Sequence, residues 1–91
     1  MTDTAITTLP GTPLTRSELR VLRLLANGRT TDQAARHLYV SRNTVNTHIY
    51  RIYRKLGAVD RAHAVALGIA TEQLDPSEIT VVHPIATRSV T

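Results

Sequence analysis

The chain has 91 residues, no cysteine and a formal net charge of +4 at pH 7, which suits a single small domain. The absence of cysteine excludes disulfides and thiolate metal sites and favours a reducing, cytoplasmic compartment. The longest apolar stretch, residues 64–70, is too short to cross a bilayer, which needs about 20 residues. No secretory signal pattern is visible at the N-terminus, so we expect no membrane partner.

The positive charge is concentrated in the middle of the chain. Residues 14–72 contain 10 basic and 4 acidic residues, a net charge of +6, whereas the segments on either side contribute −1 each. A basic folded unit favours a polyanionic partner, with nucleic acid ahead of a membrane surface. A charge of this size also occurs in proteins that bind no nucleic acid, so it does not decide the function.

Composition divides the chain into three segments. Residues 1–13 are rich in Thr, Pro and Gly without an apolar period, so we expect a disordered N-terminal arm. Residues 14–72 carry the helical patterns of a folded unit. Residues 73–91 begin with a turn signal and contain a short apolar run, but Pro84 and the polar end favour a loose tail over a short extended segment.

The first helix is predicted over residues 16–26. Thr15 and Glu18 form a capping box, and Gly28 stands where a helix commonly ends. On a helical wheel the apolar residues share one broad face. These residues are Val21, Leu22, Leu25 and Ala26.

A second capping box, Thr30 with Gln33, opens a short helix over residues 31–38. Residues 39–41 then separate it from a longer helix. A short connection between two such helices is typical of a helix-turn-helix. The sequence therefore predicts an all-α fold.

The third helix is predicted over residues 42–56, with Ser41 as its N-cap and Gly57 as its end. Val45, Ile49, Ile52 and Leu56 fall within an arc of about 60° and form its inward stripe. The opposite half displays Asn43, Asn46, Thr47, Tyr50, Arg51 and Arg54, with Thr44 and Lys55 at its edge. No acidic residue occurs from position 41 to 59.

These residue types suit the major groove of DNA. Asn can bond adenine, Thr offers a hydroxyl and a methyl group, and Tyr offers a hydroxyl on a flat apolar ring. Phosphate contacts are expected from two groups of residues, one at the helix start and one near its end. They are Ser41, Arg42 and Thr44, and Arg51, Arg54 and Lys55. The alternative is an ordinary solvated helix face, but such a face usually mixes Glu with Lys.

A fourth helix is predicted over residues 61–72, capped by Asp60. Residues 64–70 carry no polar side chain, and a helix that is apolar all round should be buried on both sides. We expect a second subunit to cover the second side and form a homodimer, since small residues permit close approach. The alternative is that residues 78–85 fold back over Leu67. The expected interface residues are Ala64, Leu67, Gly68 and Thr71.

Neither a cofactor nor an enzyme is expected. The histidines, His37, His48, His63 and His83, lack metal-ligand spacing. The four glycines are too scattered to cradle a phosphate, and no nucleophile, base and orienting acid can be assembled. His48 flanks the inward stripe, where either a phosphate contact or a structural hydrogen bond is possible.

In combination, these residues resemble the LuxR/NarL/GerE DNA-binding domain over about residues 14–72. The matching positions are Leu14, Thr15, Glu18, Val21, Leu22, Leu25, Gly28, Ala35, Leu38, Val40, Ser41, Thr44, Val45, His48, Ile52, Lys55, Leu56, Gly57, Arg61, Ala64 and Val65. The resemblance implies four helices, the third in the major groove and the fourth pairing two subunits. It places base contacts on Asn46, Thr47 and Tyr50. It places phosphate contacts on Thr44, His48, Arg51, Arg54 and Lys55.

The sequence departs from this family at several positions. Asn46 stands where members often have Lys, and Tyr50 where a charged residue is frequent, so no operator sequence carries over. Leu19 replaces a charged residue, and Ala34 is smaller than the usual aliphatic. The family domain usually follows a sensor domain, whereas here only 13 residues precede it, so the chain would act without a sensor or be a fragment.

We therefore expect a homodimeric transcription regulator that reads two half-sites of double-stranded DNA, with its third helix in the major groove. One alternative is a protein-interaction module, such as an anti-regulator that binds another regulator. Another is an architectural DNA binder with little sequence preference. The C-terminal tail is a candidate site for a protein partner, and ten arginines against one lysine suggest a GC-rich bacterial or phage genome.

Overall fold

The computed structural model describes residues 9–80, which form four α-helices and contain no strand. The helices are α1 (Arg16–Ala26), α2 (Thr31–Leu38), α3 (Arg42–Leu56) and α4 (Arg61–Ala70), followed by a 3-10 turn at Pro76–Glu78. The predicted all-α fold and the bounds of α1, α2 and α3 are confirmed. The fourth helix ends two residues earlier than predicted, because Glu72 has a left-handed φ of 62°.

Each α-helix begins at the capping residue that the sequence indicates. The side chains of Thr15, Thr30, Ser41 and Asp60 accept a hydrogen bond from the amide three residues later. In α1 the box is reciprocal, since Glu18 Oε1 also accepts from the amide of Thr15 at 2.9 Å. A cap of this kind stabilises a helix by about 1 kcal/mol, so the helix starts are set locally.

The core lies where α1 meets α3 and α4, with α2 packed against α1 and α3. Its buried apolar residues come from every helix and from both flanking segments. They are Leu14, Val21, Leu22, Leu25, Ala34, Ala35, Val45, Ile52, Ala64 and Leu74. The inward stripe of α3 is confirmed, with Ile49 and Leu56 partly buried against this core.

The small residues of α4 allow it to approach α1 within the same chain. Ala64 is fully buried, and a Cβ atom on Gly68 would lie 2.8 Å from Leu22 Cδ2 and 3.4 Å from Leu74 Cβ. A residue enclosed by its own subunit has no surface left for a partner. The expectation that Ala64 and Gly68 contact a second subunit is therefore corrected.

The segment after α4 continues the folded unit beyond residue 72. Leu74 is 1% exposed, and the side-chain oxygen of Gln73 accepts from the amide of Leu14 at 2.7 Å. Asn27, at the end of α1, donates to the carbonyl of Glu78 at 3.1 Å. Up to residue 80 the chain is packed on α1 and α4, where the sequence favoured a loose tail. The remainder of that predicted tail, and most of the predicted N-terminal arm, lie outside the described residues.

A buried ion pair joins the first turn of α1 to the last turn of α3. Lys55 Nζ lies 2.7 Å from Glu18 Oε1 and donates to the carbonyl of Pro13 at 3.2 Å. The lysine is 4% exposed and the glutamate 2%. The carbonyl of Lys55 also accepts from the amide of Gly11 at 2.9 Å, so the same residue holds the N-terminal segment against the domain.

The Glu18 carboxyl is held in its charged form. Burial raises its pKa. The hydrogen bond from Lys55, the hydrogen bond from the backbone amide of Thr15 and the charge of Lys55 lower the pKa, and their combined effect is larger than that of burial. The net pKa of Glu18 therefore lies below its ordinary value of 4.5.

Removing one partner of this pair should be far more damaging than removing both. Glu18→Gln leaves the ammonium of Lys55 buried without a counter-charge, which costs about 3–5 kcal/mol. In the double variant Glu18→Gln/Lys55→Met no charge is left unpaired, so much of that stability should return. Urea denaturation at neutral pH, followed by circular dichroism, measures both. Equal losses in the two variants would show that packing, not the unpaired charge, is responsible.

The same pair predicts a pH dependence. Because the pKa of Glu18 is lowered by folding, its contribution to stability is present above about pH 4.5 and is lost as the pH falls through the folded-state pKa. The free energy of unfolding of the wild type should therefore fall, relative to that of the Glu18→Gln/Lys55→Met variant, as the pH is lowered below 4.5. The other carboxyls are common to both proteins. A difference that stays constant with pH would contradict this assignment.

Candidate nucleic-acid interface

The outer face of α3 is polar and exposed. Its exposed side chains lie opposite the buried Val45 and Ile52, and Tyr50 is 60% exposed. They are Arg42, Asn43, Asn46, Thr47, Tyr50 and Arg54. Since α3 contains no Asp or Glu, the helix itself offers only hydrogen-bonding groups and positive charge on this face, and a carboxylate of α2, Asp32, pairs with Arg42 at its start.

The start of α3 is organised around its cap. Ser41 Oγ accepts from the amide of Thr44 at 3.0 Å, and the two hydroxyl oxygens are also 3.0 Å apart. The remaining free amides of the first turn and the positive end of the helix dipole favour an anion here. Ser41 is exposed and Thr44 half-buried, so the predicted phosphate contacts at this end are sterically open.

Arg42 is held by a carboxylate that the sequence analysis did not single out. Its Nε and Nη2 each lie 2.6 Å from one oxygen of Asp32, in the first turn of α2. The hydrogen bond from Arg42 lowers the pKa of Asp32, and the same bond raises the pKa of Arg42. A guanidinium has five N–H donors, so the donors not used by Asp32 remain free for a phosphate. Ten residues separate the pair, a spacing with no local sequence signal.

The middle of α3 carries two internal contacts. Thr47 Oγ1 donates to the carbonyl of Asn43 at 3.0 Å, which fixes its rotamer and leaves the hydroxyl lone pairs free to accept. The guanidinium of Arg54 lies over the ring of Tyr50, 5.9 Å from its centroid, at cation–π distance. The two side chains therefore form one exposed unit on the outer face, while Arg51 is half-buried at its edge.

The predicted phosphate contact of Lys55 is wrong. Its side chain turns inward to pair with Glu18 and is 4% exposed. Glu18 had been explained by its capping role alone, and a separation of 37 positions along the chain hides the pairing. A buried carboxylate needs a buried cation, and Lys55 supplies it.

His48 lies on the side of α3 that faces α1 and is half-buried. Its Nδ1 is buried and has no hydrogen-bond partner among residues 9–80. A buried ring nitrogen without a partner is costly whether or not it carries the proton. The sequence left two roles open for His48. Its side chain makes no structural hydrogen bond to residues 9–80, and the phosphate contact stays a prediction.

Tyr39 ends α2 and lies in the turn between α2 and α3. It is 94% exposed and has a left-handed φ of 59°, a conformation that costs an L-residue about 1–2 kcal/mol. A large exposed ring in a strained position contributes little to stability. Its place two residues before Ser41 brings it next to the start of α3.

The geometry defines a class of protein. Helix α2, the turn at residues 39–41 and α3 form a helix-turn-helix, whose second helix exposes its polar face while α1 and α4 pack behind it. Residues 12–67 match the family model described as bacterial regulatory proteins, luxR family. The chain belongs to this family of DNA-binding transcription regulators, and its predicted resemblance to it is confirmed. No helix among residues 9–80 is long and apolar enough to span a membrane.

Similar proteins are regulators from several bacteria. The uncharacterised transcriptional regulatory protein YxjL of Bacillus subtilis is 44% identical over 57 residues, covering 63% of this chain and 26% of the relative. The probable regulator NarL of Mycobacterium tuberculosis is 44% identical over 62 residues, covering 68% and 29%. Among solved structures, VqmA bound to DPO has a TM-score of 0.61 and 25% identity, covering 82% of this chain and 35% of VqmA. The chain thus spans less than a third of these two curated relatives.

The two basic residues near the end of α3 should behave differently towards DNA. Arg54→Gln removes an exposed charge, so it should weaken binding to random-sequence duplex DNA and reduce the slope of log K against log salt by about 0.9 per lost phosphate contact. The Glu18→Gln/Lys55→Met variant removes only buried charges and should keep the wild-type slope. Fluorescence anisotropy over a salt series measures both. A reduced slope in the double variant would mean that Lys55 does reach phosphate.

Proposed function

We propose that the protein is a sequence-specific transcription regulator that binds double-stranded DNA as a homodimer, with α3 in the major groove. The observation that carries this proposal is the acid-free outer face of α3. It presents amide, hydroxyl and phenol groups in its middle and guanidinium groups at its ends. A solvated helix without a partner has no need of such a face.

The proposed base contacts follow from the chemistry of the middle of this face. With 15 residues, α3 is about 22 Å long and of a diameter that the major groove admits. Asn43 and Asn46 can each bond the edge of adenine, and Thr47 can meet a thymine methyl group. The hydroxyl of Tyr50 can bond a base or a phosphate. A good base contact discriminates by about 1–3 kcal/mol.

The proposed phosphate contacts flank that middle. At the helix start they come from the Ser41 hydroxyl, the free amides near Thr44 and the oriented guanidinium of Arg42. Along the sides they come from His48, Arg51 and Arg54. Contacts of this kind fix the position of a helix in the groove without reading sequence themselves. The uncharged base-reading residues would therefore be placed opposite the bases by these phosphate contacts.

The proposed dimer uses the outer face of α4. Ala62, Ala66 and Ala70 are exposed there, and Val59 just before the helix is 79% exposed. A second copy of α4 could approach this alanine face closely, with Leu67 at its edge.

Of the other predicted interface residues, Thr71 donates its hydroxyl to the carbonyl oxygen of Leu67 at 2.8 Å, and its methyl group stays available for contact with a second subunit. The alternative cover for Leu67, residues 78–85, falls mostly outside the described residues. Two-fold pairing would set half-sites about one helical turn apart.

Selection from random duplexes at near-physiological salt tests this proposal. The wild type should enrich a motif of two half-sites about one turn apart. Asn46→Ala should change the preferred base at one position of each half-site, because it removes a bidentate contact. Arg54→Gln, the matched control, should weaken binding to all sequences and keep the wild-type motif, because phosphate contacts carry no sequence information.

Two outcomes would contradict the proposal. Folded wild-type protein that enriches no motif would exclude sequence-specific recognition by this chain and favour a protein-interaction module. An enriched single half-site would exclude the homodimer and keep the DNA-binding assignment.

A further inference from the structure

A small recess lies where the N-terminal half of α1 meets the middle of α3. It is lined by Ser17 and Arg20 from α1, Leu38 and Val40 from the end of α2 and the following turn, and His48 from α3. Its volume is about 60 Å³, enough for a water molecule or a single phosphate oxygen, since a water occupies about 30 Å³.

Arg20 is the charged residue of this recess and is free to bind. Three basic side chains are engaged in ion pairs, Arg23 with Glu78, Arg42 with Asp32 and Lys55 with Glu18. The arginines that share with Arg20 the lack of an ion-pair partner among residues 9–80 include Arg16, Arg29, Arg36, Arg51 and Arg61. Arg20 is exposed, and among the hydrogen bonds and ion pairs of residues 9–80 it has no partner. What sets Arg20 apart from the other unpaired arginines is its place in the recess, beside Ser17 and His48.

The other polar groups of the recess are also donors without partners. His48 lines the recess, and its buried Nδ1 has no hydrogen-bond partner among residues 9–80. The hydroxyl of Ser17 is exposed. No carboxylate lines the recess. A guanidinium, a hydroxyl and an imidazole N–H together are suited to a tetrahedral oxyanion.

The position of the recess indicates which anion would reach it. His48 lies one turn after Thr44 and one turn before Arg51, on the same side of α3. Both neighbours are proposed phosphate contacts, so a nucleic-acid backbone that follows this side of α3 would pass the mouth of the recess. We propose that Arg20, with Ser17 and His48, binds a backbone phosphate of DNA, so that α1 contributes to the interface beside α3. This inference rests on the proposed function.

Ethylation interference on the selected duplex tests the assignment, because it identifies individual phosphates that must stay anionic. The wild type is compared with Arg20→Gln and with Arg16→Gln. Arg16 lies one turn earlier on the same helix, is exposed, and does not line the recess, so its variant has the same charge loss. Arg20→Lys, which keeps the charge, is the conservative variant. Thermal melting of each variant verifies that the fold is intact.

Arg20→Gln should lose interference at one phosphate position in each half-site and keep it elsewhere. The slope of log K against log salt should fall by about 0.9 per half-site. Arg16→Gln should keep the full wild-type interference pattern, and Arg20→Lys should keep the phosphate position. The melting temperature of Arg20→Gln should equal that of the wild type.

Three results would overturn the inference, and they are distinguishable. If the wild type shows interference and Arg20→Gln shows the same pattern, α1 does not bind this phosphate, while the proposed function stands. If Arg16→Gln loses the same position, the effect is one of general charge. If the wild type binds no duplex, the proposed function fails together with this inference, and an acidic protein surface becomes the better candidate for the recess.

Discussion

The buried pair of Glu18 and Lys55 is the constraint on which the rest of the domain depends. It links the first turn of α1 to the last turn of α3, and through Pro13 and Gly11 it holds the N-terminal segment against the same point. A buried charge that loses its partner is strongly destabilising, so α3 cannot rotate or slide along α1 without a large loss. The rotation of α3 about its own axis is thereby fixed, and with it the direction of its acid-free outer face.

The charged residues of the domain have different roles in the interior and on the surface. Lys55 supports the interior, and Glu18 both caps α1 and neutralises Lys55. On the surface, Asp32 orients Arg42 at the start of α3, and Tyr50 holds Arg54 beside its ring. Side chains that are already ordered lose less conformational entropy on binding. The outer face of α3 is therefore partly organised before any partner arrives, although the side chain of the central Asn46 makes no hydrogen bond to residues 9–80.

The parts of this fold that follow from local rules could be predicted from the sequence. Capping boxes at Thr15 and Thr30, the cap at Ser41 and the apolar period of α3 place helix starts and the inward stripe to the residue. The errors concern contacts between distant positions. Lys55 was assigned to phosphate because its inward partner is 37 residues away. In α4, which is apolar all round, periodicity gives no orientation, so its small residues suggested a second subunit when Gly68 in fact makes room for Leu22.

In the proposed complex, recognition of the bases by α3 would depend on how the core holds α1 and α3 relative to each other. Asn, Thr and Tyr at the centre of α3 carry no charge, so phosphate contacts must set their register with the bases. In the proposed complex those contacts would come from different elements, since Arg42 is held by α2, His48 lies on α3, and Arg20 lies on α1. The relative position of α1 and α3 is held by the buried pair of Glu18 and Lys55. In the proposed complex the pair would act on DNA recognition through the fold alone: it holds α1 against α3, while the number of charges that face phosphate, and so the salt dependence, does not depend on it.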